Sequence, residues 1–166
     1  VEDVAVLSCV YTAERAAGKT VLTIDGLSSG EGLHPLQQAF IDHGAVQCGF
    51  CTPGLIMTAY ALLLSNPDPS EDDIRHALKD TLCRCGGYPS IMRAIQSAAH
   101  HLHTGKPLQP PILAKFHGRS PLSFDPYPLE GERDQVGKSD VVGTLQPRPD
   151  ADAKVTGAAQ FTDDLS

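Results

Sequence analysis

The chain has 166 residues, enough for one ordinary domain, and 41% of them are hydrophobic, so a modest core is possible. The formal net charge of −7 leaves no basic face for a phosphate backbone, and we expect no nucleic-acid partner. The longest strongly apolar stretch, Leu55 to Leu64, is about half of the roughly 20 residues that a membrane-spanning helix needs. We therefore expect no membrane partner.

The first thirty residues predict two short strands. Residues 4–7 and 20–24 are rich in Val, Leu, Ile and Thr, and Gly and Asp residues flank the second run. Two strands alone are marginally stable, and the chain opens with Val1 inside the first run. We expect that the native start is missing and that this segment is the remainder of a larger sheet.

Four amphipathic helices are predicted between residues 34 and 104. Each combines a start or stop signal with apolar positions at helical spacing. The signals are Pro35 and Gly44 around the first helix, Thr52 as cap and Pro53 as first residue of the second, the Ser70/Asp73 capping box of the third, and a fourth run from about Ser90 to Leu102. The fold class is therefore mainly α, with a four-helix bundle.

The composition of the sequence changes after Thr104. Eight of the thirteen prolines fall between Pro107 and Pro149, and no sustained period runs between them, which predicts an extended linker. The final segment, "PRPDADAKVTGAAQFTDDLS", has too few apolar residues to fold alone.

Four of the five cysteines form two pairs, Cys48-x-x-Cys51 and Cys83-x-Cys85, separated by 31 residues. An odd, clustered set is poor evidence for a disulfide framework and favours a metal or iron–sulfur site in a reducing compartment, for which we expect the cytoplasm. A helical hairpin of this length brings both pairs to one end. Four thiolates there bind zinc or hold a [2Fe–2S] cluster, and unligated or disulfide-paired cysteines are a third interpretation. The spacing alone does not choose.

A helix is predicted to begin directly behind each cysteine pair, at Thr52 and near Pro89. Helix N-termini carry free N–H groups and partial positive charge, and a cluster with four thiolate ligands is anionic, so this placement stabilises it. Neighbouring glycines, such as Gly49 and Gly86, let backbone N–H groups approach sulfur closely.

The stretches "QCGFCTPGLIMTAYALL" and "LCRCGGYPSIMRAI" resemble the helical [2Fe–2S] domain of the molybdenum hydroxylases, the xanthine dehydrogenase and aldehyde oxidase family. The resemblance covers about residues 4–103. It implies that Cys48, Cys51, Cys83 and Cys85 hold a [2Fe–2S] cluster. It also implies that Gln47 and Cys85 lie next to the molybdopterin cofactor, with Cys85 on the electron route from molybdenum.

Two flanking stretches resemble other parts of the same family. "LSCVYTAERAAGKTVLTIDGL" is similar to the last strands of a plant-type β-grasp ferredoxin domain, in which a cysteine at the place of Cys9 is one ligand of a second [2Fe–2S] cluster. The other three ligands, in a C-x₄-C-x₂-C pattern, are absent from this chain, so that site is incomplete here. "PRPDADAKVTGAAQFTDDL" is similar to the opening of the molybdopterin-binding region, which often continues into a short strand.

The resemblance implies four parts, namely residues 1–29 as the ferredoxin remnant, 30–104 as the helical [2Fe–2S] domain, 105–145 as the linker and 146–166 as the start of the molybdopterin-binding region. The implied function is electron transfer from a molybdenum cofactor toward a second [2Fe–2S] cluster and FAD, in an oxidoreductase acting on purines, other N-heterocycles or aldehydes. The implied partners are the molybdopterin-binding domain and a FAD-binding subunit or domain. The competing hypothesis is a zinc-stabilised interaction module that uses the same four cysteines.

Overall fold

The computed structural model describes residues 1–28, 32–108 and 148–164, all of which belong to one compact unit. Regular structure in these ranges is helical. The helices are α1 Ala13–Ala16, α2 Ile24–Leu27, α3 Pro35–Asp42, α4 Thr52–Ser65, α5 Glu71–Ala77, α6 Tyr88–Thr104 and α7 Ala151–Thr156, with 3-10 turns at Ser8–Val10, Leu78–Asp80 and Thr162–Asp164. Among these helices, none has the length and apolar character that crossing a membrane requires.

The two predicted strands are absent, and the described part of the chain contains no strand. Residues 4–7 and 20–23 have no regular structure, and Ile24 begins helix α2 instead. Next to these segments, the Glu2 N–H donates to the Thr20 carbonyl oxygen at 3.1 Å and the Thr20 N–H donates to the Glu2 carboxylate at 2.6 Å. A strand needs a ladder of backbone hydrogen bonds with a neighbour, and β-branched residues cannot supply that ladder by themselves.

The four predicted helices are present as α3 to α6, with small shifts at their ends. Helix α3 has Pro35 in its first turn and Gly44 just beyond its end with φ of 60°, as expected. The cap of α4 was predicted one residue late, because Cys51 caps this helix and Thr52 is already helical and buried. Helix α6 is longer than predicted at both ends and stops at Gly105, whose φ is 68°.

The core lies where α3, α4, α5 and α6 face one another. Helix α3 packs mainly on α6 and also on α4, while α5 packs on both α4 and α6. The fully buried apolar side chains of these helices are Leu36, Ala39, Phe40, Leu55, Ile56, Ala59, Ile74, Ile91, Ala94, Ile95 and Ala98. Burying each of the large ones is worth about 1.5–3 kcal/mol, so this core fixes the ends of the helices that carry the cysteines.

The C-terminal segment, residues 148–164, is part of the same unit. Helix α7 packs on α2, α3 and α4, and Val155 is fully buried there. That this segment cannot fold alone stays a prediction. The short strand expected beyond Gly157 is absent, since residues 158–161 have no regular structure and no neighbouring strand pairs with them in the described ranges.

The predicted linker lies mostly outside the described residues, which leave out 109–147. Of its N-terminal end, Leu108 is half-buried against the core. The division of the chain into four parts and the extended conformation of the linker therefore stay predictions.

Candidate metal centre

The first cysteine pair lies in a tight loop that leads directly into α4. Cys48 is exposed and Cys51 is half-buried. Between them Gly49 is buried with φ of 90°, in a region that side chains other than glycine rarely adopt. The Thr52 N–H donates to the Gly49 carbonyl oxygen at 3.2 Å, which closes the turn immediately before the helix.

The second pair lies in an equally short loop before α6. Cys83 is buried and Cys85 is exposed. The Gly86 N–H donates to the Cys83 carbonyl oxygen at 3.1 Å, and Gly86 has φ of 70°. The Cys83 N–H donates to the Tyr88 hydroxyl oxygen at 2.8 Å, so the first residue of α6 fixes the loop. Local sequence patterns did not indicate this bond between the Tyr88 hydroxyl and the loop.

The four thiols meet in two pairs, each with one cysteine from each loop. The Phe50 backbone N–H and then a hydrogen bond with the Cys85 thiol lower the pKa of Cys48. Burial and then a hydrogen bond with the Cys83 thiol raise the pKa of Cys51 to about 12. The loops are therefore paired as Cys48 with Cys85 and Cys51 with Cys83.

This pairwise arrangement fits a binuclear cluster better than a single zinc ion. Zinc needs about four ligands around one point, and no three His, Cys, Asp or Glu side chains of the described ranges converge in that way. A four-cysteine [2Fe–2S] cluster instead shares its thiolates between two irons. Both loops also open at the N-terminus of a long helix, where partial positive charge favours an anionic group.

The other predicted site residues fall on different sides of this group. Gln47 is exposed, and its Nε2 atom lies 3.4 Å from the point where a Cβ on Gly87 would sit, so it reaches the second loop. Cys9 is exposed in the turn Ser8–Val10. Its thiol is not among the groups that hydrogen-bond to Cys48 or Cys51 in the described structure.

Sequence analysis missed Lys154, which brings a positive charge to the first loop. The Lys154 ammonium donates to the Gln47 carbonyl oxygen at 3.2 Å and lies 2.7 Å from Asp150. Its charge contributes to lowering the pKa of Cys48. No local pattern indicates this contact, because α7 comes far later in the chain than the loop that it touches.

Comparison with known proteins adds the family. The model of the "[2Fe-2S] binding domain" family matches residues 23–96, a range that includes both cysteine loops and helices α2 to α5 with most of α6. One of the nicotinate dehydrogenase subunits of Pseudomonas putida is 50% identical over 99 residues, which are 60% of this chain and 63% of that protein. The aldehyde oxidoreductase of Megalodesulfovibrio gigas is 37% identical over 163 residues, which are 96% of this chain and 16% of that protein.

Solved structures agree in fold. The aldehyde oxidoreductase from Desulfovibrio gigas superposes with a TM-score of 0.76 at 35% identity over 99% of this chain and 16% of that one. Quinoline 2-oxidoreductase from Pseudomonas putida 86 gives 0.58 at 41% identity over 64% of this chain and 67% of that one.

The class that the fold and the cysteine loops define is that of [2Fe–2S]-binding domains in oxidoreductases. Within this class the chain belongs to the molybdenum hydroxylase family. It spans 63% of the length of the nicotinate dehydrogenase relative and 16% of the length of the aldehyde oxidoreductase.

Proposed function

We propose that Cys48, Cys51, Cys83 and Cys85 hold a [2Fe–2S] cluster through which the chain transfers electrons. The observation that carries this proposal is the pairing of the four thiols across two loops. Each hydrogen-bonded pair, Cys48 with Cys85 and Cys51 with Cys83, would supply two of the four thiolate ligands. When bound, the cluster supplies one-electron redox chemistry at these sulfurs.

The residues around the thiols have three tasks in this function. The N-termini of α4 and α6 offset the negative charge of the cluster. Gly49 and Gly86 adopt positive φ, so each loop can turn tightly and carry its two cysteines within a few residues of each other. Tyr88 holds the backbone of Cys83 in place through its hydroxyl group.

Exposure and the family support a proposed direction of electron flow. Cys85 and Gln47 are exposed, whereas Cys83 is buried in the domain. We propose that Gln47 and Cys85 face the molybdopterin cofactor and that electrons leave toward a second [2Fe–2S] cluster and FAD. The parent enzyme oxidises purines, other N-heterocycles or aldehydes in this proposal, which the names of the nicotinate, xanthine and aldehyde relatives support.

The same proposal assigns the remaining segments. Helices α3 to α6 form the four-helix [2Fe–2S] bundle, residues 1–29 are the ferredoxin remnant that carries Cys9, and residues 146–166 begin a C-terminally fused molybdopterin-binding domain. The match over 96% of this chain to one long aldehyde oxidoreductase supports the fusion. A cytoplasmic location rests on the thiol chemistry, since all five cysteines are free.

The test is to purify the chain anaerobically, record its visible spectrum before and after dithionite, and measure iron and sulfide. We expect bands that bleach on reduction and about two irons per chain. Cys51→Ala removes one ligand and is expected to abolish the bands. Cys9→Ala is the matched control, because Cys9 lies outside the group, and it is expected to keep the full iron content.

Two results would contradict the assignment. Normal iron content in Cys51→Ala would remove Cys51 from the ligand set. A colourless protein with about one zinc ion would favour the competing structural module, in which the cysteines hold the fold and carry no electron.

A further inference from the structure

Both the aliphatic stem of Lys154 and its ammonium group lie against the Cys48 loop. The side chain is only 11% exposed. Its Cγ and Cδ atoms lie 2.6 and 2.5 Å from the point where a Cβ on Gly49 would sit, so the lysine stem occupies the space above that glycine. The ammonium then reaches the Gln47 carbonyl oxygen at 3.2 Å.

The backbone beneath Lys154 is held by independent contacts. Val155 is fully buried, and its carbonyl oxygen accepts a hydrogen bond from the Gln37 side chain at 3.0 Å. In the same segment, the Phe161 ring packs edge to face on the Phe50 ring of the loop, with centroids 5.7 Å apart. The position of the ammonium is therefore set by the fold, unlike that of a lysine on an open surface.

Three charges of this segment lie near the loop. Lys154 and Arg148 both form ion pairs with Asp150, which leaves an excess of one positive charge. The Lys154 charge contributes to lowering the pKa of Cys48, and Asp150 first and then the Cys48 and Cys85 thiols raise the pKa of Arg148. Their field therefore acts on the Cys48 side of the site.

We propose that Lys154 raises the reduction potential of the cluster, with Asp150 limiting the size of the effect. This inference rests on the proposed function, since it needs a cluster on Cys48. Reduction adds one negative charge to the cluster, and a fixed cation beside one ligand stabilises that charge. Net charge, hydrogen bonding and solvent exposure at the sulfurs are known controls of cluster potential. Lys154 acts on the first of these, because its ammonium brings a positive charge to the Cys48 loop.

The experiment is a redox titration of the complete 166-residue chain, after iron content and the visible spectrum have confirmed loading. Lys154→Met keeps a long stem over Gly49 and removes the charge, and Asp150→Asn removes the opposing charge. At a fixed applied potential near the midpoint, we expect the ratio of reduced to oxidised cluster to fall about three- to tenfold in Lys154→Met, tenfold being 59 mV for one electron. It should rise in Asp150→Asn and stay within about twofold of the parent in Lys154→Arg.

Opposite shifts in the two charge variants distinguish electrostatics from packing, because a merely structural contact would not make them move in opposite directions. Unchanged potentials in both variants, or shifts in the same direction, would overturn the role of Lys154 and leave the proposed function intact. A parent chain that binds no cluster would overturn both proposals together.

Discussion

At the scale of single residues, Gly49 is a point of close approach between the cysteine loop and the C-terminal segment. Its φ of 90° already disfavours any side chain. The atoms that a Cβ would meet include the Cβ of Lys154 at 3.0 Å as well as its Cγ and Cδ. Since atoms close to the backbone of α7 are involved, rotating the end of the lysine cannot relieve the contact. Helix α7 can therefore dock in this position because residue 49 presents a hydrogen atom to Lys154, where any other residue would present a Cβ atom.

Gly49→Ala is expected to lower the free energy of unfolding by about 2–3 kcal/mol, combining backbone strain with a displaced α7. Gly44→Ala is the matched control, because Gly44 also has positive φ but nothing within 4 Å of its Cβ position. It is expected to cost about 1 kcal/mol. Urea unfolding of both variants measures the difference. Equal losses of unfolding free energy in the two variants would show that the contact with Lys154 adds nothing to the cost of a side chain at residue 49.

At the scale of helices, α5 depends on its first turn. It has only seven residues, too few for stability in isolation. The Ser70 hydroxyl accepts from the Asp73 N–H at 3.2 Å, and the Asp73 carboxylate accepts from the Ser70 N–H at 2.9 Å. The Ser70 side chain and backbone also lower the pKa of Asp73. The capping box predicted from the sequence is therefore formed.

Ser70→Ala is expected to destabilise the chain by about 1 kcal/mol, since it leaves the Asp73 N–H without its cap. Ser65→Ala, at the end of α4, serves as the control. The Ser65 hydroxyl only donates to carbonyl oxygens of its own helix, so we expect a change within about 0.5 kcal/mol. The midpoints of the thermal or urea unfolding transitions of the two variants measure this difference in stability. If Ser70→Ala were as stable as Ser65→Ala, water would be replacing the hydrogen bond that the Asp73 N–H loses.

Local signals explain which elements could be predicted. Capping residues and apolar spacing act within a few positions of each other, so the sequence placed α3 to α6 to within about two residues at their ends. The strands at residues 4–7 and 20–24 were wrong because a strand depends on a distant partner. The four cysteines were predicted as one site because thiols at such spacing have few other uses, whereas their pairing across the two loops needed the fold.

At the scale of the whole chain, Gln37 ties three distant segments together. It is fully buried in α3. Its Oε1 atom accepts from the Ser28 hydroxyl at 2.9 Å and from the His34 N–H at 2.8 Å, while its Nε2 atom donates to the Val155 carbonyl oxygen at 3.0 Å. A buried polar side chain bonded in this way is specific for one arrangement of its neighbours. No local pattern indicates the contact between Gln37 and Val155, which are 118 residues apart, so the docking of α7 was not predictable from the sequence.

Gln37→Ala is expected to cost about 3 kcal/mol, because it leaves the His34 N–H and the Val155 carbonyl without their partner. Gln38→Ala is the matched control on the same helix, where a half-buried side chain bonds only to Asp42, and about 0.5 kcal/mol or less is expected. Amide exchange of residues 151–156 gives the local readout and should accelerate in Gln37→Ala alone. Equal exchange in both variants would contradict the link between α3 and α7.

The position of Lys154 late in the chain sets an order of events during synthesis. Both cysteine loops leave the ribosome before α7 is made, and at about 5–20 residues per second the delay is several seconds. During this interval the side of the Cys48 loop that Lys154 later covers faces solvent. That side of the loop is therefore covered only after both cysteine loops and helices α3 to α6 have been made.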